Sequence, residues 1–345
     1  MIEGHGDDGY LYEGSLVNFS SNVYAHFNQT GLLRHLTDCL ENVRHYPQPA
    51  PFTLERRLAQ SLGIGEENVM VTNGATEAIY LIAQAYRGGN STVVCPTFSE
   101  YADACQMHGH DLTNFFTPPG SSIADVLHQL PSDTDLVWLC VPSNPTGEAQ
   151  DSESLFRTIR RTPELTFVVD ASYAPYSLLP QIDPAEGARL PNLLLIHSFT
   201  KQFGIPGLRL GYVTGSEALI SRLKRQRMPW AVNQLALDAG LYLLDHKEDY
   251  RLPVKMLCEE RKRVAGELQR IEGFAVYPSD CHILLCRLTD GKASELKEYL
   301  AQQHGILIRD ASNFEGLAQG HFRIAMQNPD ENDILLNALR QWTAR

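Results

Sequence analysis

From about Leu54 to Gly211, short apolar runs alternate with stretches in which apolar residues recur at helical spacing. Short continuous apolar runs bounded by turn formers suit strands covered on both faces, and the helical periods between them supply the cover. The runs predict strands at Asn68 to Thr72, Thr92 to Cys95, Asp111 to Phe116, Leu136 to Val141, Phe167 to Asp170, Leu193 to His197 and Leu210 to Thr214. Most are bounded by Gly, Pro or Asn. An apolar helix is expected from Ala78 to Tyr86. This order of elements is the signature of a mostly parallel sheet with helices on both faces.

Beyond Trp230 the pattern changes. Asn233 to Asp245 and Tyr250 to Arg270 read as two long amphipathic helices. Short strands follow at His282 to Arg287, Ile306 to Arg309 and His321 to Ala325, with helices at Ala293 to Gln303 and Glu331 to Ala344. With 345 residues, the chain exceeds one ordinary domain. The expected organisation is an amino-terminal arm over residues 1–30, a large sheet domain over 31–232 and a smaller α/β domain over 233–345. No repeat or low-complexity linker separates the lobes, so they should pack closely.

A hydrophobic fraction of 43% supports a substantial core, and a net charge of -12 argues against a nucleic-acid or anionic-membrane surface. The basic run Lys224, Arg225, Arg227 reads as a solvated helix end. There is no apolar stretch long enough to span a bilayer and no basic-then-apolar leader, which leads to the expectation of a soluble, cytoplasmic protein. Seven scattered cysteines with no C-x-x-C spacing read as reduced, mostly buried thiols. His108 and His110 alternate as two ligands on one strand face might, yet no cysteine or carboxylate cluster completes a shell, so no metal is expected.

The chemistry concentrates at predicted strand ends, where open α/β sheets bind ligands. Ser198-Phe199-Thr200-Lys201 follows one strand, and Arg209 lies eight residues beyond the lysine in a Gly-rich turn. Lys201 is an amine that could condense with an aldehyde, while Ser198, Thr200 and Arg209 offer donors to a phosphate dianion. The competing reading is a surface turn capped by Lys201, which the stretch by itself favours less. Thr72-Asn73-Gly74-Ala75-Thr76-Glu77 opens a helix whose first free N–H groups, at Ala75 and Thr76, suit a phosphate; an ordinary capped helix start looks the same. Asn144-Pro145 forms a turn that aims an amide into the crevice. Asp170 ends a strongly apolar strand, where a carboxylate makes sense facing a cation. Phe98 suits either a core or a ring-stacking role, the latter worth about 0.5 to 1.5 kcal/mol beyond burial. Arg309 and Arg323 sit on apolar strands, as structural ion pairs or as anion ligands.

Together these segments resemble the fold-type I pyridoxal-phosphate-dependent aminotransferase family. Ser198 to Lys201 with Pro206-Gly207-Leu208-Arg209-Leu210-Gly211-Tyr212 resembles the branch holding histidinol-phosphate aminotransferases and threonine-phosphate decarboxylases. Asn73-Gly74-Ala75-Thr76-Glu77 is similar to the family's N-G-x-T-E phosphate cup, and Pro96-Thr97-Phe98-Ser99-Glu100-Tyr101 to its P-T-[FY]-x-x-Y. Ser143-Asn144-Pro145-Thr146-Gly147 differs from N-N-P-T-G at Ser143. Asp170-Ala171-Ser172-Tyr173 differs from D-E-A-Y at its two middle positions.

The resemblance implies pyridoxal 5'-phosphate as cofactor, with Lys201, Asp170 and Tyr173 catalytic. It places Gly74, Ala75, Thr76, Ser198, Thr200 and Arg209 at the phosphate, Phe98 on the ring, and Asn144 and Tyr173 at its phenolic oxygen. Arg44-His45-Tyr46-Pro47 resembles the family's R-Y-P with one residue added, implying a homodimer in which Tyr46 reaches the partner's cofactor.

Gly4-His5-Gly6, Phe19-Ser20-Ser21-Asn22, Arg227 to Asn233 and Ile306 to Leu317 resemble the decarboxylases more than the aminotransferases. That implies decarboxylation of O-phospho-L-threonine to an aminopropanol phosphate for cobalamin assembly. His5, Gly6, Asn22, Asn144, Arg309 and Arg323 would then contact the phosphorylated amino acid. The chain departs from the family's H-G-G-N at Asp7-Asp8 and from its N-x-N-P-x-G at Asn22-Val23-Tyr24. Two acidic residues pointing inward would oppose a dianionic phosphate. Amino transfer from histidinol phosphate or an aromatic amino acid is the alternative, and a non-catalytic binding module a third.

Overall fold

A two-stranded sheet, a seven-stranded sheet and a four-stranded sheet organise the computed structural model, which describes residues 6–14, 17–117 and 123–344. After β1 (Val17–Asn18), the large sheet is built from β2 (Val69–Thr72), β3 (Asn90–Cys95), β4 (Asp111–Phe116), β5 (Leu136–Cys140), β6 (Thr166–Asp170), β7 (Leu193–Ser198) and β8 (Gly211–Gly215). Its order is β2-β8-β7-β6-β5-β3-β4. Every one of these strands was expected within a residue or two. Neighbours from β4 to β7 pair in parallel, whereas β8 is antiparallel to both β7 and β2. The connection from β7 holds only a short helix, Phe199–Gln202, and a 3-10 turn, Pro206–Leu208, so the chain doubles back instead of crossing over.

All five residues of β5 and four of β6 are buried, as their unbroken apolar runs require. Helix Gly74–Ala85 buries Ala78, Ile79, Leu81, Ile82 and Ala83 against this sheet. Both strand carboxyl ends therefore sit in a rigid frame.

The smaller sheet comprises β9 (Phe274–Val276), β10 (Ile283–Leu288), then, after β11 (Ile306–Leu307), β12 (Arg309–Asp310) and β13 (His321–Ala325), in the order β12-β13-β10-β9. The single strand expected at Ile306 to Arg309 is thus two. Its first half pairs in parallel with β1, and its second lies antiparallel to β13 with Arg309 opposite Arg323. The helix expected from Tyr250 starts at Val254, behind Pro253. Tyr250 turns inward instead, its hydroxyl accepting from Leu32 N–H at 3.0 Å.

The arm after β1 is fastened to this lobe by Gln327, whose amide donates to Val23 O at 3.0 Å and accepts from Ala25 N–H at 3.1 Å. Between the lobes, Asp280 N–H donates to Gly147 O at 2.9 Å and Ser177 Oγ to Asp280 O at 3.0 Å.

The basic run is not a solvated helix end. Arg227 donates to buried Glu55 at 2.5 Å, and Lys224 approaches the same carboxylate at 3.7 Å. His110 is spent on Ser91 Oγ at 2.9 Å and Ala83 O at 2.8 Å. Among the described residues, no group of three His, Cys, Asp or Glu side chains could hold a metal. The seven cysteines are free, six of them buried. No helix among the described residues is long and apolar enough to cross a membrane.

Candidate active site

A cavity of about 260 Å³ opens where the carboxyl ends of β5, β6 and β7 face the arm and the smaller sheet. Lys201 lies in the short helix Phe199–Gln202 that follows β7. Its Nζ donates to Asn22 Oδ1 at 2.5 Å and to Ser21 O at 3.1 Å. Burial lowers its pKa from 10.5 to about 7, helped by the positive charges of Arg323 and Arg209 and opposed by Asp7 and Asp170. At neutral pH a large fraction of this amine is therefore unprotonated and nucleophilic.

Asp170, at the end of β6, is buried among apolar strands. Burial raises its carboxyl pKa, while Ser172 and Tyr101 pull it down. Ser172 N–H donates to Oδ1 at 2.9 Å and the Tyr101 hydroxyl to Oδ2 at 2.7 Å. Tyr173 is also buried, and its hydroxyl oxygen accepts from Asn22 Nδ2 at 2.6 Å. That bond leaves its proton available for donation into the cavity. Phe98 lines the same wall, set edge-on to Tyr101 at 5.9 Å and 85°.

Opposite this floor, helix Gly74–Ala85 begins without a side-chain cap, and Ala75 and Thr76 line the cavity. Gly74 has φ +78°, and a Cβ there would lie 2.9 Å from a guanidinium nitrogen of Arg209. Arg209 itself adopts a left-handed φ of 57°, which brings its side chain to the helix start. Ser198 and Thr200 complete this corner, and Thr200 Oγ1 is buried without a partner among the described residues.

The small lobe contributes two arginines. Arg323 donates to Asn144 Oδ1 at 2.5 Å and to Ser20 O, while its buried Nε has no partner among the described residues. A buried guanidinium N–H left open costs stability unless an acceptor arrives. Arg309 donates to Asp310 O at 2.7 Å and Asn313 Oδ1 at 2.8 Å and lies over the Phe314 ring. Gly6 packs against it, since a Cβ on that glycine would sit 3.1 Å from Arg309 Cδ.

The structure thus brings together Gly6, Asn22, Ala75, Thr76, Phe98, Asn144, Asp170, Tyr173, Ser198, Thr200, Lys201, Arg209, Arg309 and Arg323, with Gly74 immediately behind. Tyr46 is elsewhere: it is 86% exposed, its ring 5.5 Å from that of Trp230. His5 lies outside the described residues. Asp7 does line the cavity, with its carboxylate taking Asn18 Nδ2 at 2.5 Å, whereas Asp8 forms an ion pair with Lys297. Sequence reading gave no role to Tyr101, Asn313 or Ser20. Tyr101 stood inside a quoted motif and Asn313 inside another, but neither spacing shows whom they bond.

A family model for aminotransferases of class I and II matches residues 15–339. The chain belongs to that family. The solved L-threonine-O-3-phosphate decarboxylase of Porphyromonas gingivalis superposes with a TM-score of 0.91 at 36% identity, over 96% of this chain and 100% of that one. The threonine-phosphate decarboxylase of Salmonella typhimurium is 31% identical over 332 residues, 94% of this chain and 90% of its own. The histidinol-phosphate aminotransferase of Caldanaerobacter subterraneus subsp. tengcongensis is 30% identical over 321 residues, 90% and 88% of the two chains.

As a class I and II aminotransferase relative, the protein has the fold-type I architecture and is a pyridoxal-phosphate-dependent enzyme. Its cavity fits that cofactor on its own terms. The orphaned Thr200 hydroxyl, the uncapped helix start and Arg209 suit a phosphate; the buried Asp170 suits a ring cation; the low-pKa Lys201 suits an aldehyde.

Proposed function

We propose that this enzyme decarboxylates O-phospho-L-threonine to (R)-1-aminopropan-2-yl phosphate, a step of cobalamin assembly. One observation supports this reading most. Arg309 and Arg323 are direct cross-strand partners on β12 and β13, and both line the cavity that holds Lys201. A substrate carrying one carboxylate and one phosphate supplies an acceptor to each guanidinium. The two decarboxylases named above match 94% and 96% of the chain.

When bound, pyridoxal phosphate supplies a ring into which the electron pair left on the substrate's Cα can spread. Asp170 would face and stabilise the positive charge of the ring nitrogen, and Tyr101 and Ser172 N–H keep that carboxylate oriented. Tyr173 and Asn144, which both line the cavity, would hold the cofactor's phenolic oxygen, Tyr173 as donor. Ala75, Thr76, Ser198, Thr200 and Arg209 would hold the cofactor phosphate, with Gly74 admitting Arg209, and Phe98 would pack against the ring. Arg323 would take the substrate carboxylate on its open Nε edge and Arg309 the substrate phosphate, with His5, Gly6 and Asn22 as the further proposed contacts to the phosphorylated amino acid. The Cα–carboxylate bond breaks, carbon dioxide leaves, and the Lys201 ammonium gives its proton to Cα. A lysine with pKa near 7 can both give that proton and recover it from water.

The test combines cofactor-loaded protein with O-phospho-L-threonine and follows carbon dioxide. Release at a stoichiometry of many turnovers supports the proposal. The second reading, amino transfer, draws on the histidinol-phosphate aminotransferase relative. Glutamate formed from 2-oxoglutarate and histidinol phosphate, with no carbon dioxide from phosphothreonine, establishes it instead.

The same proposal includes a cytoplasmic homodimer with Tyr46 reaching the partner's cavity. Tyr46 stands exposed beside Trp230, and Leu40, Val43, Phe52 and Met228 are also exposed apolar side chains in the same stretches of chain. Such exposed apolar side chains suit a subunit contact. Sedimentation equilibrium at twice the chain mass supports it, and a monomer at micromolar concentration overturns it.

A further inference from the structure

We infer that His282 is a positioning residue for the reactive lysine, acting through Asn22 and Tyr176. His282 precedes β10 in the small lobe, is fully buried, and has no place in the chemistry described above. Its Nε2 lies 3.3 Å from Asn22 O, and its Nδ1 has no partner among the described residues. A backbone carbonyl only accepts, so Nε2 carries the proton and Nδ1 the lone pair. Burial, with Arg323 and Lys201 nearby, lowers the imidazole pKa to about 3, so the ring stays a neutral donor throughout the working range.

The bond falls on a residue whose conformation needs support. Asn22 has φ 51°, in the left-handed region that a non-glycine residue occupies at a cost. From that conformation its Oδ1 accepts from Lys201 Nζ at 2.5 Å, and its Nδ2 donates to Tyr173 at 2.6 Å. One side chain therefore sets the distance between the lysine amine and the phenol. The imidazole face adds a second hold. It stacks on Tyr176 at 3.7 Å and 20°, and the Tyr176 hydroxyl donates to Lys201 O at 2.7 Å while accepting from Tyr24 N–H at 3.1 Å. His282 thus touches both the residue that holds the lysine's amine and the residue that holds its backbone.

The inference rests on Lys201 being the reactive amine, not on which reaction the enzyme runs. It is tested on the full chain without cofactor. Acetic anhydride labelling of Lys201 against pH, read by peptide mass spectrometry, gives the amine's titration midpoint. Arg323 and Arg209 push that midpoint down, Asp7 and Asp170 push it up, and none of the four is bonded to His282 among the described contacts. Asn22 Oδ1 and Ser21 O accept from the ammonium form, so displacing them should lower the midpoint. His282→Phe keeps a ring against Tyr176 and removes the donor; a downward shift of about half a pH unit or more is expected. His282→Gln restores a donor and should return most of it. In an Asn22→Ala background, His282→Phe should add nothing. A folded His282→Phe protein with the wild-type midpoint overturns the inference. If that variant does not fold, nitrogen NMR of the wild-type protein decides: a protonated Nε2 on His282 supports it, and a protonated Nδ1 overturns it.

Discussion

Tyr101 donates to Asp170 Oδ2 at 2.7 Å from a ring that is 1% exposed and stacked on Trp138 at 5.7 Å. A residue on helix Glu100–Met107 thereby orients the carboxylate at the end of β6, the group assigned to the cofactor's ring nitrogen. Removing the hydroxyl leaves a buried carboxylate with Ser172 N–H as its remaining backbone donor. Tyr101→Phe should cost about 1–3 kcal/mol of stability in the cofactor-free protein. The Asp170 carboxyl should rise further, lowering kcat about tenfold as the ring nitrogen loses its anionic partner. Steady-state rates and urea unfolding test this together; an unchanged kcat would show that the Tyr101 bond only packs the core.

Gly74 is required twice over. Its φ of +78° disfavours any side chain, and a Cβ would meet the Arg209 guanidinium at 2.9 Å. Gly74→Ala should therefore push Arg209 away from the phosphate corner and weaken cofactor binding by about tenfold or more, with a stability loss of about 1 kcal/mol. Titrating the apoprotein with pyridoxal phosphate by absorbance gives the affinity. Wild-type affinity would mean that Arg209 does not bind the phosphate.

Much of this site was legible because strand ends carry it. The apolar runs ending at Asp170, His197 and Val141 mark the sheet's carboxyl edge, and the chemically useful residues follow each run directly. What the sequence could not show is which distant residues meet. Asn22 and Lys201 are 179 positions apart, and Arg227 and Glu55 are 172 apart. Spacing carries information only within an element, so a basic run looked solvated although two of its members reach one buried carboxylate. The antiparallel β8 was hidden for the same reason, since an apolar strand has the same composition in either direction. The split between β11 and β12 depends on β1 and β13 claiming successive residues, a choice made by tertiary pairing.

Arg323 presents two of its nitrogens to Asn144 and Ser20 and leaves Nε open. A lysine at this place has one nitrogen and no planar fork, so it cannot keep those contacts and also bind a carboxylate in two-point fashion. Arg323→Lys should raise KM for O-phospho-L-threonine about thirtyfold, equivalent to about 2 kcal/mol, and reduce kcat less. Arg309→Lys should act on the phosphate in the same direction. If KM is unchanged in Arg323→Lys, the substrate carboxylate is held elsewhere.

Lys201 also leaves a signature in the stability of the cofactor-free protein. Its pKa falls from 10.5 to about 7 on folding, so between those values the unfolded chain binds the proton and the folded chain does not. Stability therefore rises with pH across that window, and below pH 7 the fold carries the full cost of a buried ammonium. Lys201→Met removes the charge. Relative to wild type, it should gain on the order of 2 kcal/mol at pH 6, and the advantage should shrink steadily towards pH 10. The bonds lost to Asn22 and Ser21 shift the whole comparison by a constant, so the slope with pH is the diagnostic quantity. Asp170 titrates in the opposite sense, its raised carboxyl making stability fall as pH rises from the ordinary carboxylate range, and it is present in both proteins. Urea unfolding of the two apoproteins at pH 6, 8 and 9.5 measures the difference. A gap that does not change with pH would show that Lys201 keeps an ordinary amine pKa, and with it would go the basis for its acting as both proton donor and nucleophile at neutral pH.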